Sequence, residues 1–202
     1  DFIVLAHHAN DQCETFLMRL IRGTSVEGLS GMSRKRGKVL RPFLDFTKKE
    51  IINYAKTNQI SFFEDETNQS LHYFRNRIRN QFIPQAAHIG KDFGDEEDFV
   101  KRISQLTNEL QVIKRQRKKT ALNWLSINIK ASPYWWGFPR EKWKALSAEK
   151  KRIIYREIWK KLSGKSLVKQ KLEQLDEIIE ERKSATLSGN IQVSSSQGTV
   201  FL

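Results

Sequence analysis

Two histidines and two acids fall within eight residues of one another near the start of the chain: His7, His8, Asp11 and Glu14. Such groups can position a nucleotide, hold Mg²⁺ through oxygen, or move a proton near neutral pH. The same residues can also do plain structural work. Asp11 and Glu14 suit the first turn of a helix, and the histidines can each make a fixed hydrogen bond; on spacing alone this is the favoured reading. Zinc fits poorly, because adjacent histidines leave a strand in opposite directions. Far along the chain, Arg75 and Arg79 lie four apart, so on a helix they share a face and could clamp a phosphate. Asn76 and Arg77 point elsewhere. The alternative is a solvated basic helix, with Glu64 and Asp65 as salt-bridge partners.

These residues need elements to hold them. The run Phe2, Ile3, Val4 and Leu5 reads as a strand buried on both faces of a parallel sheet. Then Cys13, Phe16, Leu17, Leu20 and Ile21 recur at helical spacing, with Asn10 or Asp11 as cap and Gly23 as stop. This βα unit places the acids and histidines at the carboxyl end of a strand, where open α/β sheets bind ligands. Residues 24–41 read as an exposed basic loop. A capping box at Thr47 and Glu50 predicts a helix to Asn58, and Ile60 to Phe63 is the other strand candidate nearby. With so few strands, the sheet is expected to be completed by strands outside this chain. Residues 64–68 form an acidic turn, and a basic helix runs from Leu71 to a stop at Pro84.

The second half differs in character. Gly90 and Gly94 mark a linker, after which Phe99, Ile103, Leu106, Leu110 and Ile113 predict one long helix reaching toward Trp124. It breaks at residues 133–137. Helices over 147–162 and 166–182 follow, then a hairpin over 189–202 whose strands 191–193 and 199–202 flank a Ser-rich turn. The domains expected are 1–89, α/β, and 90–202, mainly α-helical with a terminal hairpin.

Charge narrows the partners. The 202 residues carry 36 Lys plus Arg against 23 Asp plus Glu, a formal +13, which suits a polyanion and salt-sensitive binding, though solubility alone could explain it. Cations concentrate at Arg34, Lys35, Arg36 and Lys38, where a flexible loop could meet a phosphate backbone without reading sequence. They concentrate again from Lys114 and Arg115 to Lys119, near the aromatic Tyr134, Trp135 and Trp136. Those rings could stack on bases, but tryptophans between helices are more often core. Arg19 and Arg22 are ambiguous, since they also favour a helix end. The single Cys13 excludes an internal disulfide framework or thiolate cluster and fits a reducing, cytoplasmic setting; no membrane span or signal peptide is readable.

Several of these residues fall into ordered motifs. The run AHHANDQCETFLMRLIRG, residues 6–23, resembles the HHxxDQxETxLxRLxRG segment of the PP-loop ATP pyrophosphatases that modify tRNA. Arg41-Pro42 resembles an R-P element, and EDETNQSLHYFRNRIRNQFIP, residues 64–84, resembles the E-D-x-(S/T)-N, R-N-x-I-R and (L/I)-P elements of the tRNA(Ile)-lysidine synthetase family. The likeness is close over residues 1–84 and holds beyond only by pattern. It implies an adenine-nucleotide α-hydrolase-like sheet followed by a helical tRNA-binding domain. It implies ATP-dependent attachment of free lysine to C2 of the wobble cytidine of an isoleucine tRNA with a CAU anticodon, through an adenylated cytidine.

On that resemblance Asp11, Glu14 and Arg79 are catalytic; His7, His8, Asp11 and Arg75 serve ATP; and Asp11 is the Mg²⁺ ligand. Arg34, Lys35, Arg36, Lys38, Arg75, Arg77, Lys114 and Arg115 would meet tRNA. Asn10 replaces the family's commoner Asp, so Asp11 is the sole acid of that pair. The SGGxDS-type phosphate loop of the family is not found in these residues, which implies a fragment beginning inside the catalytic domain and inactive by itself. Two alternatives stand: a PP-loop tRNA thiolation enzyme, against which a single cysteine counts, and a non-catalytic RNA-binding module.

Overall fold

The structure is a computed structural model. It describes every residue except 64–69, 132–134, 164–173, 175, 180, 182–183, 188–190, 197 and 202. The described residues form two compact units, Asp1–Lys114 and Arg115–Leu202.

In the first unit, β1 (Ile3–Val4) leads into α1 (Ala9–Arg22). The helix begins two or three residues earlier than an Asn10 or Asp11 cap requires. His8 is the cap residue, and its N–H donates to Asp11 Oδ2 at 3.0 Å, so Asp11 acts from the third helical position. Gly23 closes α1 at φ 73°, in the left-handed region that favours glycine. The buried stripe Ala9, Cys13, Phe16 and Leu17 packs on Ile78, Ile83 and Val100. Each large apolar side chain buried this way is worth about 1.5–3 kcal/mol.

The sheet differs from expectation. β1 pairs in parallel with β3 (Val39–Leu40), which pairs antiparallel with β2 (Lys35–Arg36), in the order β1-β3-β2. Residues 24–41 are therefore an ordered segment, with a short helix α2 (Val26–Leu29) and a tight hairpin turned at Gly37, φ 59°. The hairpin supplies the neighbour that β1 needs, through Ile3 N–H to the Lys38 carbonyl at 2.8 Å and Leu5 N–H to the Leu40 carbonyl at 2.9 Å. As an edge strand, β1 leaves Ile3 and Val4 59% and 62% exposed rather than buried on both faces.

Residues 60–63 form no strand. Ile60 N–H instead closes the end of α3 (Lys48–Thr57) on the Ala55 carbonyl, with Gln59 at φ 53°, and Phe63 is fully exposed. The Thr47 and Glu50 capping box on α3 is present as read. The acidic turn at 64–68 lies outside the described residues.

Pro84 does not end the basic helix. α4 (Phe74–Arg77) continues through a π-helical stretch, Ile78–Phe82, into α5 (Ile83–Ile89), where Pro84 sits in the first turn. The wider turn frees the position that lacks an N–H and relieves the ring's clash with the preceding turn. The helix α6 runs over Glu96–Asn128, longer than its apolar spacing alone indicates. The division between units falls within α6, not at the glycine linker of residues 90–94, because Val100, Ile103 and Leu110 pack with the α1 core.

The second unit holds a five-stranded antiparallel sheet, β4 (Lys130–Ala131), β5 (Trp136–Pro139), β8 (Thr199–Phe201), β7 (Ile191–Ser196) and β6 (Ala185–Leu187), in that order. The terminal hairpin is present, but the serines at 194–196 lie in strand β7 rather than in the turn. Helices α7 (Arg140–Lys144) and α8 (Ala148–Ser163) complete the unit. Of the helix read over 166–182, residues 176–179 are helical and most of the rest lies outside the described residues. The core gathers Phe138, Trp143, Ile154, Tyr155, Ile158 and Val200. No helix among the described residues is long and apolar enough to cross a membrane.

Candidate functional site

The first turns of α1 and the α4 to π-helical stretch meet through four charged side chains. Arg75 donates from Nη2 to Asp11 Oδ1 at 2.7 Å and from Nε to Glu14 Oε2 at 2.5 Å. Arg79 donates from Nε to Glu14 Oε1 at 2.6 Å and from Nη2 to Glu14 Oε2 at 3.2 Å, and its Nη2 stands 3.7 Å from Asp11 Oδ1. Arg75 and Arg79 do share a face, but in this structure they hold these carboxylates. Glu64 and Asp65, the partners read from sequence, lie outside the described residues.

Burial explains the network. Glu14 is 1% exposed, and a carboxylate so placed costs several kcal/mol unless compensated. Two guanidinium groups bonding both of its oxygens supply that compensation. The bond to Glu14 is also the main reason that the Arg79 pKa lies above its ordinary value. Asp11 is less buried, with a side chain 13% exposed, and so stands as the open edge of the network.

His8 flanks this edge. His8 Nε2 lies 3.5 Å from Asp11 Oδ2, yet burial holds the His8 pKa below its ordinary 6.5 against the pull of Asp11 and Glu14, with Arg79 and Lys48 adding to the depression. The Nδ1 atoms of His7 and His8 are buried with no hydrogen-bond partner among the described residues. A His8 imidazole held toward its neutral form and partly exposed guanidinium groups suit a nucleotide. Mg²⁺ fits less well. Both oxygens of Asp11 are already engaged, and no group of three or more His, Cys, Asp or Glu that could hold a metal occurs among the described residues.

The predicted RNA contacts are dispersed. Arg34 pairs with Asp45, Lys35 lies over the Phe2 ring at 4.9 Å, and Arg36 and Lys38 are exposed on the hairpin. Arg77 lies over Phe74 at 5.7 Å. Lys114 Nζ bonds the Glu27 carbonyl and Ser30 Oγ, at 3.4 and 3.2 Å, while Arg115 is exposed in the second unit. Trp136 packs on its unit's core with Lys161 over its ring, whereas Trp135 is 40% exposed and meets Phe201 edge-on. Tyr134 lies outside the described residues.

Sequence reasoning passed over Gln12. It is 1% exposed, with Nε2 donating to the Met32 carbonyl at 3.0 Å and Oε1 accepting from Met32 N–H at 2.7 Å. A polar residue on the buried stripe of α1 was the available signal. Arg19, read as a possible dipole partner, instead holds the Gly28 and Gly31 carbonyls at 2.6 and 3.3 Å.

Comparison with known proteins finds similarity over the stretch that holds the site. The family described as PP-loop domain matches residues 1–86, the stretch that carries His7, His8, Asp11, Glu14, Arg75 and Arg79. These residues therefore lie in the stretch that is similar to a PP-loop domain. Over much the same stretch the chain is a relative of the tRNA(Ile)-lysidine synthases. It is 50% identical over 88 residues to that of Haemophilus ducreyi, covering 42% of this chain and 21% of the relative. It is 40% identical over 109 residues to that of Borrelia garinii, covering 54% of this chain and 24% of the relative. Similarity to the bifunctional protein TilS/HprT of Listeria monocytogenes is 51% over 86 residues, 41% of this chain and 13% of the relative. The chain thus spans at most about a quarter of the length of these three relatives.

Proposed function

We propose that this chain serves the ATP-dependent ligation of lysine to C2 of the wobble cytidine in an isoleucine tRNA with a CAU anticodon. The observation that carries this reading is the Asp11, Glu14, Arg75 and Arg79 network, built from motif residues of the matched domain. In the proposed reaction the cytidine C2 oxygen attacks the α-phosphate of ATP and pyrophosphate leaves. The ε-amine of lysine then displaces AMP from C2, and the ammonium proton must go to a base.

On this reading the labour divides among the four side chains and the histidines. Glu14, with both oxygens bonded to arginines, anchors the cations beside the phosphates. Asp11, the less buried carboxylate, would take the lysine ammonium and its proton by exchanging one of the bonds that now engage its oxygens. The His7 and His8 imidazoles contact the nucleotide, and Arg79 stabilises the charge that builds during adenylation. Arg75 and Arg77 line the approach of the tRNA strand. Arg34, Lys35, Arg36, Lys38, Lys114 and Arg115 add sequence-independent phosphate contacts. No Ser-Gly-Gly phosphate loop occurs in the 202 residues, so the chain by itself should not turn over. A second reading is an RNA-binding module without catalysis. Thiolation is disfavoured because Cys13 is buried and its thiol is pushed up to about 12, too high for a sulfur nucleophile.

The test is binding of this chain to an isoleucine tRNA bearing CAU, against an elongator methionine tRNA, across a salt series. Salt-sensitive preference for the isoleucine tRNA is expected. Equal affinity for the two would favour the non-catalytic reading, and absence of binding would remove the tRNA assignment from this chain.

A further inference from the structure

Between Asp11 and Glu14 on α1 stands Gln12, which the proposed chemistry does not use. Its side-chain amide meets the backbone amide of Met32 in both directions, as one strand meets another. Gln111 Nε2 donates to the same Met32 carbonyl at 2.6 Å. Arg19 ties down the Gly28 and Gly31 carbonyls just before it, and Arg41 Nη1 bonds the Ser33 carbonyl just after it at 3.0 Å. Gly31 has φ +65°, and a Cβ there would stand 2.5 Å from Gln12 Oε1, so the loop backbone passes as close to this amide as it can. Two residues beyond Met32 the basic hairpin begins with Arg34.

An aliphatic side chain of similar size would cover this ground equally well. It would, however, leave the Met32 N–H without its Gln12 acceptor and its carbonyl with one donor fewer. The amide adds direction: it sets where the loop sits along the helix. We infer that Gln12 is a positioning residue that fixes the basic hairpin of residues 34–41 relative to the Asp11 and Glu14 carboxylates. An RNA strand whose phosphates rest on Arg36 and Lys38 is thereby held in register with the site. The inference rests on the tRNA-modifying function proposed above. One helix, α1, carries both the acids and the clamp, so a displaced hairpin changes where RNA is presented without changing the acids.

Gln12→Glu is the nearest test. It keeps the acceptor for Met32 N–H but turns a carboxylate oxygen toward the Met32 carbonyl. Expected are faster tryptic cleavage at Arg36 and Lys38 with helical circular dichroism unchanged, and an affinity for isoleucine tRNA lowered about threefold or more. That loss should vanish in an Arg36→Ala, Lys38→Ala background, because Gln12 acts through those cations. Unchanged hairpin cleavage, or the same loss of affinity in both backgrounds, would overturn the inference. Should Gln12→Glu fail to fold, Gln111→Met withdraws the second donor without touching α1, and unaltered cleavage at Arg36 and Lys38 then counts against it. If the unsubstituted chain binds no tRNA, the proposed function fails; the inference is then decided by hairpin cleavage alone.

Discussion

Glu14 and Arg79, 65 positions apart in the chain, bond side-on: Glu14 Oε1 receives Nε–H at 2.6 Å and Oε2 receives Nη2–H at 3.2 Å. Their exposures are unequal. The Glu14 side chain is 1% exposed, and those of Arg79 and Arg75 are 31% and 37%. Losing the cations strands a buried charge, whereas losing the acid leaves two arginines that water can reach. Arg75→Ala with Arg79→Ala should therefore destabilise the chain by about 3–5 kcal/mol, and Glu14→Gln by about 1–3 kcal/mol. Urea unfolding of both variants checks this. Equal costs would show that burial does not set the energetics of the network.

On the proposed reading, the same pair bears on chemistry in a complete enzyme. Arg79→Ala should lower the rate of cytidine adenylation about tenfold or more, and Arg79→Lys should restore little, because a point charge cannot bond both oxygens of Glu14 side-on. Single-turnover adenylation reads this directly. A lysine variant at the native rate would reduce the role of Arg79 to charge alone.

Much of this site could be read before the fold was known, and the reason is local. His8, Asp11 and Glu14 lie within one helical start, and Arg75 and Arg79 within one helical face, so spacing alone grouped them. That the two groups face one another depends on contacts 61 to 65 positions apart, which spacing does not encode. The Thr47 and Glu50 capping box was legible for the same local reason. The pairing of β1 with Val39–Leu40 was not, because a basic, glycine-bearing segment reads as loop until a neighbouring strand supplies its hydrogen bonds. Pro84 misled because its usual effect on a helix was offset by the π-helical turn before it.

His8 gives a pH signature. Burial depresses its folded pKa below 6.5, so between that folded value and 6.5 the unfolded chain binds more protons. The stability contributed by neutral His8 is complete above 6.5 and is lost as pH falls toward the folded pKa. Glu96, raised by burial, has the opposite slope in its own range. The effect is therefore read as a difference between wild type and His8→Asn, which keeps a good helix cap. Unfolding free energy at pH 7 and pH 5.5 should fall more for wild type than for His8→Asn. Parallel curves would remove His8 from the pH response.

Gly31 and Gly37 separate backbone strain from crowding. Both have positive φ, +65° and +59°, but a Cβ at Gly37 meets nothing within 4 Å, whereas one at Gly31 would lie 2.5 Å from Gln12 Oε1. Alanine at Gly37 incurs only the left-handed backbone cost, about 1–2 kcal/mol. Alanine at Gly31 incurs that cost and must also displace a buried amide from both of its Met32 bonds, which adds about 1–3 kcal/mol. Thermal unfolding should therefore rank Gly31→Ala clearly below Gly37→Ala, and combining Gly31→Ala with Gln12→Ala should recover part of the loss by making room. If the two alanine variants unfold together, the close approach of the loop to Gln12 contributes nothing to holding the hairpin.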